Sequence, residues 1–151
     1  LNKTGIVIQL HIVSMFLPSL ITGNLLRKFG HSKIIYAGVS FYILTILLSF
    51  LQPSFFNYLF SLIFLGIGWN FLYLSGTGLL ILSYREEEKF KAQGFNDILV
   101  FSIQALASLS AGYMLSLTSW KTMNLITIPF LFLIIFSSIR ADLSKENKLK
   151  S

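Results

Sequence analysis

The sequence predicts an all-α, polytopic membrane protein that crosses the bilayer five times, and three observations carry that prediction. Hydrophobic residues make up 54% of the 151, charged residues only 12%, and the mean hydropathy is +0.73. Water-soluble domains average about 25% charged residues, so the chain lacks the polar side chains that a soluble surface of its size needs. The apolar residues gather into five stretches long enough to span a membrane, and lysine and arginine fall between those stretches. The formal charge of +6 is thus spread along the chain and gives no basic face for nucleic acid. With no cysteine, disulfides, thiolate nucleophiles and cysteine metal ligands are excluded.

A helix rises about 1.5 Å per residue and the hydrocarbon core is about 30 Å thick, so roughly 20 apolar residues are needed to cross. The qualifying stretches are Gly5 to Leu26, Ile34 to Leu51, Phe55 to Tyr84, Ala92 to Leu117 and Thr122 to Ile139, and among them only the fourth carries a charge, Asp97. Backbone groups in lipid must bond internally, which makes helices the default, and the alternating pattern of a barrel strand is absent. The third stretch is long but too short for two crossings and a turn, so it reads as one tilted or extended span. Residue 1 is Leu rather than Met, so the chain reads as a fragment, and no signal peptide precedes the first span.

Short connections make consecutive helices antiparallel, and lysine and arginine then assign the sides. Arg27, Lys28, Lys33, Arg85, Lys89, Lys91, Arg140, Lys145, Lys148 and Lys150 fall on one side, and only Lys3 and Lys121 on the other. The positive-inside rule makes the first set cytoplasmic, with the N-terminus outside and the C-terminus inside. Trp120 fits an outer interfacial anchor. Residues 1–139 are expected to form the helical bundle, and 140–151 a solvated, basic cytoplasmic tail.

The spans differ in kind. The second and fifth are nearly featureless and read as lipid-facing, whereas the third and fourth carry polar and small residues at helical spacing, which in a membrane marks a protein- or water-facing side. On the third span Gly66, Asn70, Tyr73 and Thr77 fall on one face, with Trp69 mid-span. On the fourth, Asp97, Phe101, Gln104, Ser108 and Ala111 form a comparable stripe, and the pairs Ala107/Ala111 and Ser108/Gly112 read first as surfaces for close helix packing. Trp69, Asn70, Tyr73, Thr77, Gln104 and His11 are the candidates for lining a solute cavity.

Two titratable groups carry two readings each. His11 shares a face of the first span with Met15, Pro18 and Thr22, and reads either as a packed, hydrogen-bonded ring or as a titratable group on a pathway. Asp97 reads either as a carboxylate stabilised by the dipole of a helix starting near Gly94, or as a coupling or gating group. Pro18 removes one backbone bond and is expected to kink the first span. His11 and His31 are expected near opposite membrane surfaces, where they share no metal, and the sequence holds no HExxH, GxSxG or Walker pattern. Gly66-Ile67-Gly68 and Gly76-Thr77-Gly78 follow no strand, and read as close-packing or bending points. Neither an enzyme nor a cofactor site is indicated.

The turn between the first two spans, Gly23-Asn24-Leu25-Leu26-Arg27-Lys28-Phe29-Gly30-His31-Ser32-Lys33, resembles the Gly-x-Leu-x-Asp-Arg-x-Gly-Arg-Lys turn of the major facilitator superfamily, matching at Gly23, Leu25, Lys28 and Gly30. Arg27 stands where that family has Asp, so the resemblance does not carry a gating ion pair to this turn. Met15-Phe16-x-Pro18-Ser19, Gly66-x-Gly68-Trp69-Asn70-Phe71 and Gln93-Gly94-Phe95-Asn96-Asp97 also look like bacterial members of the family. The degenerate turn is similar to the one between spans eight and nine, which implies that the five spans here are spans eight to twelve, part of the C-terminal half-bundle. The resemblance implies a bacterial inner-membrane secondary transporter that moves a small solute by alternating access, with the bilayer, the solute and the N-terminal half as partners. The alternative class is a non-transporting multi-span protein, such as a sensor, scaffold or small subunit.

Overall fold

The computed structural model describes the backbone of residues 3–150 and the side chains through Asp142. The helices are α1 (Lys3–Phe16), α2 (Ser19–Phe29), α3 (His31–Leu48), α4 (Phe55–Ile81), α5 (Lys89–Leu117), α6 (Trp120–Leu125) and α7 (Ile128–Lys150), with a single 3-10 turn at Glu86–Glu88 before α5. Grouped by length and hydropathy, they make five membrane-length units: Lys3–Phe29, His31–Leu48, Phe55–Ile81, Glu86–Leu117 and Trp120–Asp142. No strand occurs among the described residues. The five-span, all-helical architecture read from the sequence is therefore the one observed.

Proline divides two of the five units. Pro18 lacks an N–H, and the first span breaks at Leu17 and Pro18 into α1 and α2 instead of bending as one helix. The last span breaks at Ile126 and Thr127, two residues before Pro129, a breaker that the reading of Thr122 to Ile139 as one featureless span passed over. Between α2 and α3 the chain turns at Gly30, whose φ of 83° favours glycine and whose N–H donates to the Leu26 carbonyl at 2.9 Å. α7 continues to Lys150, so the backbone of the polar tail is helical.

α4 is the centre of the bundle, with α1 on one flank and α3 on the other. Glycine permits both contacts. A Cβ on Gly66 would sit 2.0 Å from Ser14 Oγ and 2.9 Å from the His11 carbonyl oxygen, while one on Gly68 would sit 2.8 Å from Tyr42 and 3.0 Å from the Gly38 carbonyl oxygen. The two glycines thus bring α4 to near backbone contact with both neighbours, as small residues do between membrane helices. Thr45 Oγ1 donates to the Ser61 carbonyl at 3.0 Å and Ser61 Oγ to the Thr45 carbonyl at 3.4 Å, closing the α3–α4 interface with a reciprocal pair.

The reading of the second span as lipid-facing is corrected. α3 buries Ile34, Ile35, Gly38, Val39, Thr45 and Ile46, and its Ile35, Val39 and Ile46 join Leu131 of α7 in the apolar core. Lipid tails and protein interiors are equally apolar, so a uniformly apolar helix carries no signal that separates the two environments. By contrast α5 has no buried residue. It meets α4 through side-chain tips, with Tyr73 donating to Asp97 Oδ1 at 3.5 Å and Tyr73 tilted against Phe101 at 6.3 Å between centroids. At one end of the bundle Ser32 and Tyr36 of α3 donate to Asp142 of α7, and at the other Tyr58 packs edge-on against Trp120.

Candidate functional site

A cavity of about 500 Å³ opens between α1, α4, α5 and α6. Three of the residues chosen from the sequence line it: His11, Trp69 and Gln104. Ser108 and Ala111, on the stripe of the fourth span, line it too, as does Ala107. These small residues were read as helix-packing pairs, yet Gly112 has no atom within 4 Å of a built Cβ, and the residues beside it face open space within this chain. No Asp, Glu, Lys or Arg contributes to the wall.

His11 is held by geometry. Its Nδ1 lies 2.7 Å from the Leu62 carbonyl oxygen of α4. A carbonyl only accepts, so Nδ1 carries the hydrogen and a neutral ring keeps Nε2 as an acceptor. Gln104 is the other polar anchor, and its Oε1 is buried with no hydrogen-bond partner among the described residues. Trp69 is fixed by its neighbours: Tyr73 stacks on it at 4.8 Å with planes 8° apart, and Phe16 meets its edge at 6.1 Å.

The remaining candidates lie elsewhere. Asn70 is 2% exposed and does not line the cavity. Its Nδ2 donates to the Met15 carbonyl at 2.8 Å, and its Oδ1 lies 2.8 Å from the Thr22 hydroxyl, which also lies 2.8 Å from the Pro18 carbonyl. Asn70 therefore bridges the broken first span. A helix face read at whole-turn spacing cannot separate an amide aimed at a neighbouring backbone from one aimed into space. Tyr73 supports Trp69 from outside the cavity, and Thr77, one turn on, does not line it either. Asp97 lies more than two turns inside α5, which begins at Lys89, so the first-turn dipole does not reach it. It accepts instead from Tyr73 and, at 3.3 Å, from Asn96 Nδ2.

At the turn after α2, Gly23 and Lys28 are exposed, Leu25 is half-buried and Gly30 makes the bend. Lys28 lies over the Phe29 ring at 5.2 Å, and Arg27 donates to Asn24 Oδ1, a neutral amide. Lys89 with Glu86, 3.9 Å apart, is the one ion pair among the described residues. Sequence reasoning missed Trp120 and Asn124 as lining residues and Asp142 as the acceptor at the end of α7. Asn124 carried a signal, as an amide within an apolar run. Asp142 carried none, because its partners Ser32 and Tyr36 lie more than 100 residues away.

The comparisons with known proteins agree with this architecture. The model of the Major Facilitator Superfamily matches residues 2–150. The riboflavin transporter RfnT of Brucella anthropi is 37% identical over 131 residues, covering 85% of this chain and 32% of that protein. Two uncharacterized MFS-type transporters of Bacillus subtilis, YddS and YdeG, are 33% and 32% identical, each covering 83% of this chain and 29% and 30% of those proteins. The chain thus spans about a third of the length of these relatives. No solved structure matches it. With a family match over nearly the whole chain and five helices of membrane length, this is an integral membrane chain that belongs to the major facilitator superfamily.

Proposed function

We propose that the chain is part of a secondary transporter that moves a small solute by alternating access, and that the cavity beside Trp69 contributes to its solute site. The carrying observation is the cavity itself: about 500 Å³, free of Asp, Glu, Lys and Arg, with an aromatic wall and two polar anchors on different helices. Its volume lies within the roughly 300–1,000 Å³ typical of small-molecule sites. The unburied surface of α5 fits a bundle completed by the rest of a longer transporter, and the charge distribution supports a topology with the N-terminus outside and the C-terminus in the cytoplasm. Similarity to a riboflavin transporter makes riboflavin the first solute to test.

The test uses the full-length protein that contains this chain, produced in a bacterium that neither makes nor imports riboflavin. Growth at low external riboflavin, and uptake of labelled riboflavin abolished by Trp69→Ala, are the expected results. Uptake that is absent for riboflavin and for a panel of other small solutes would sink the transporter reading.

A further inference from the structure

We infer that the cavity between α1, α4, α5 and α6 receives a flat, uncharged heteroaromatic ring with a lactam edge, an N–H beside a C=O, and that Gln104 reads that edge. The inference rests on the transporter reading above and adds the chemical class of the bound group.

Charge comes first. No Asp, Glu, Lys or Arg lines the cavity, and burying an unpaired charge is costly, so the part of the solute held here is neutral. The amide of Gln104, on the cavity wall, carries an acceptor and a donor side by side, and its Oε1 is occluded and unpartnered, so a turn of the side chain into the cavity is what brings it to a solute. A lactam edge presents the complementary pair, as nucleobase edges do to asparagine and glutamine. His11 leaves only its Nε2 edge for a solute, because its Nδ1–H is committed to the Leu62 carbonyl.

Shape points the same way. Trp69 is clamped between Tyr73 and Phe16, which makes it a fixed wall, and Trp120 supplies a second indole. Across from α4, Ala107, Ser108 and Ala111 are small and leave room along α5. Flat rings gain from offset or edge-on contact with such walls, whereas a flexible acyl chain gains nothing from the buried amide.

The experiment uses the full-length protein in lipid nanodiscs, titrated with lumazine (pteridine-2,4-dione) and with 1,3-dimethyllumazine in near-neutral buffer, where both are mainly uncharged. Lumazine is expected to bind at least about tenfold more tightly than its dimethyl derivative, since a site built around a hydrogen bond rejects the analogue that lacks it. Gln104→Leu should bring the two affinities together by weakening lumazine alone. Ala111→Phe should lose both by filling the space. Each variant is checked for wild-type elution and melting, with Gln104→Asn as the second variant if Gln104→Leu fails to assemble. Equal binding of the two compounds to the wild-type protein, no binding of either, or discrimination that survives the loss of Gln104 would overturn the inference. Solute uptake that persists in Gln104→Leu cells would leave the transporter reading standing without it. Lumazine discrimination lost with Gln104, in a protein that moves no solute, would do the reverse.

Discussion

The side-chain amide of Asn70 donates to the main-chain carbonyl of Met15 at 2.8 Å, occupying the carbonyl that an unbroken helix would pair with the N–H of Ser19. The break at Pro18 is thus satisfied from α4. Asn70→Leu is expected to lower stability by about 1–3 kcal/mol, since it strands a buried carbonyl. Thr22→Val in the Asn70→Leu background should add little, because the two groups act together. Thermal melting of the detergent-solubilised full-length protein checks both, and fully additive losses would show that the two side chains do not form one bridge.

Gly66 sets the spacing between α1 and α4. Gly66→Val should destabilise by about 1–3 kcal/mol through overpacking. Ser14→Ala removes the nearest obstacle, at 2.0 Å from the built Cβ, but leaves the His11 carbonyl at 2.9 Å, so it should rescue Gly66→Ala only in part and Gly66→Val hardly at all. A double-mutant cycle on melting temperature measures this, and the absence of any coupling would mean that α1 shifts away freely.

Asp97 is the one charged residue within the five apolar stretches, and its cross-helix donor is Tyr73. In the proposed coupling role, Asp97→Asn should abolish accumulation of solute against a gradient while exchange across the membrane continues. Tyr73→Phe should reduce accumulation by less than about tenfold, in line with the loss of one hydrogen bond. Accumulation by Asp97→Asn at the wild-type level would make the carboxylate a packing group.

Orientation is accessible because the chain has no cysteine of its own. Single cysteines at Ser54 and Ser119 should react with an impermeant maleimide in intact cells, while those at Ser32 and Ser144 should react only after permeabilisation. Labelling of Ser32 from outside would invert the proposed topology.

Length, hydropathy and proline carried most of the architecture in the sequence. The five spans followed from apolar runs, and the first break followed from Pro18. Glycine spacing told part of the packing: Gly66 and Gly68 make the close contacts of α4, whereas Gly76 and Gly112 have no atom within 4 Å of a built Cβ. What stayed hidden depended on pairing across the chain. Nothing local distinguishes Asn70, turned to the Met15 backbone, from Gln104, turned to the cavity. The burial of α3 was hidden for a similar reason, because its neighbours, and not its own composition, decide whether an apolar helix meets lipid or protein.

The glycine contacts on both flanks of α4 also divide the molecule mechanically. Helices that touch backbone to backbone, as α1, α4 and α3 do, resist sliding and turn as one block. The seam between α4 and α5 is joined by side-chain tips that can re-seat at a neighbouring turn. Trp69 rides on the block and Gln104 on the far side of that seam. Any displacement of α5 along α4 would therefore alter the gap between indole and amide, which makes the width of this cavity a direct readout of where the two helices stand.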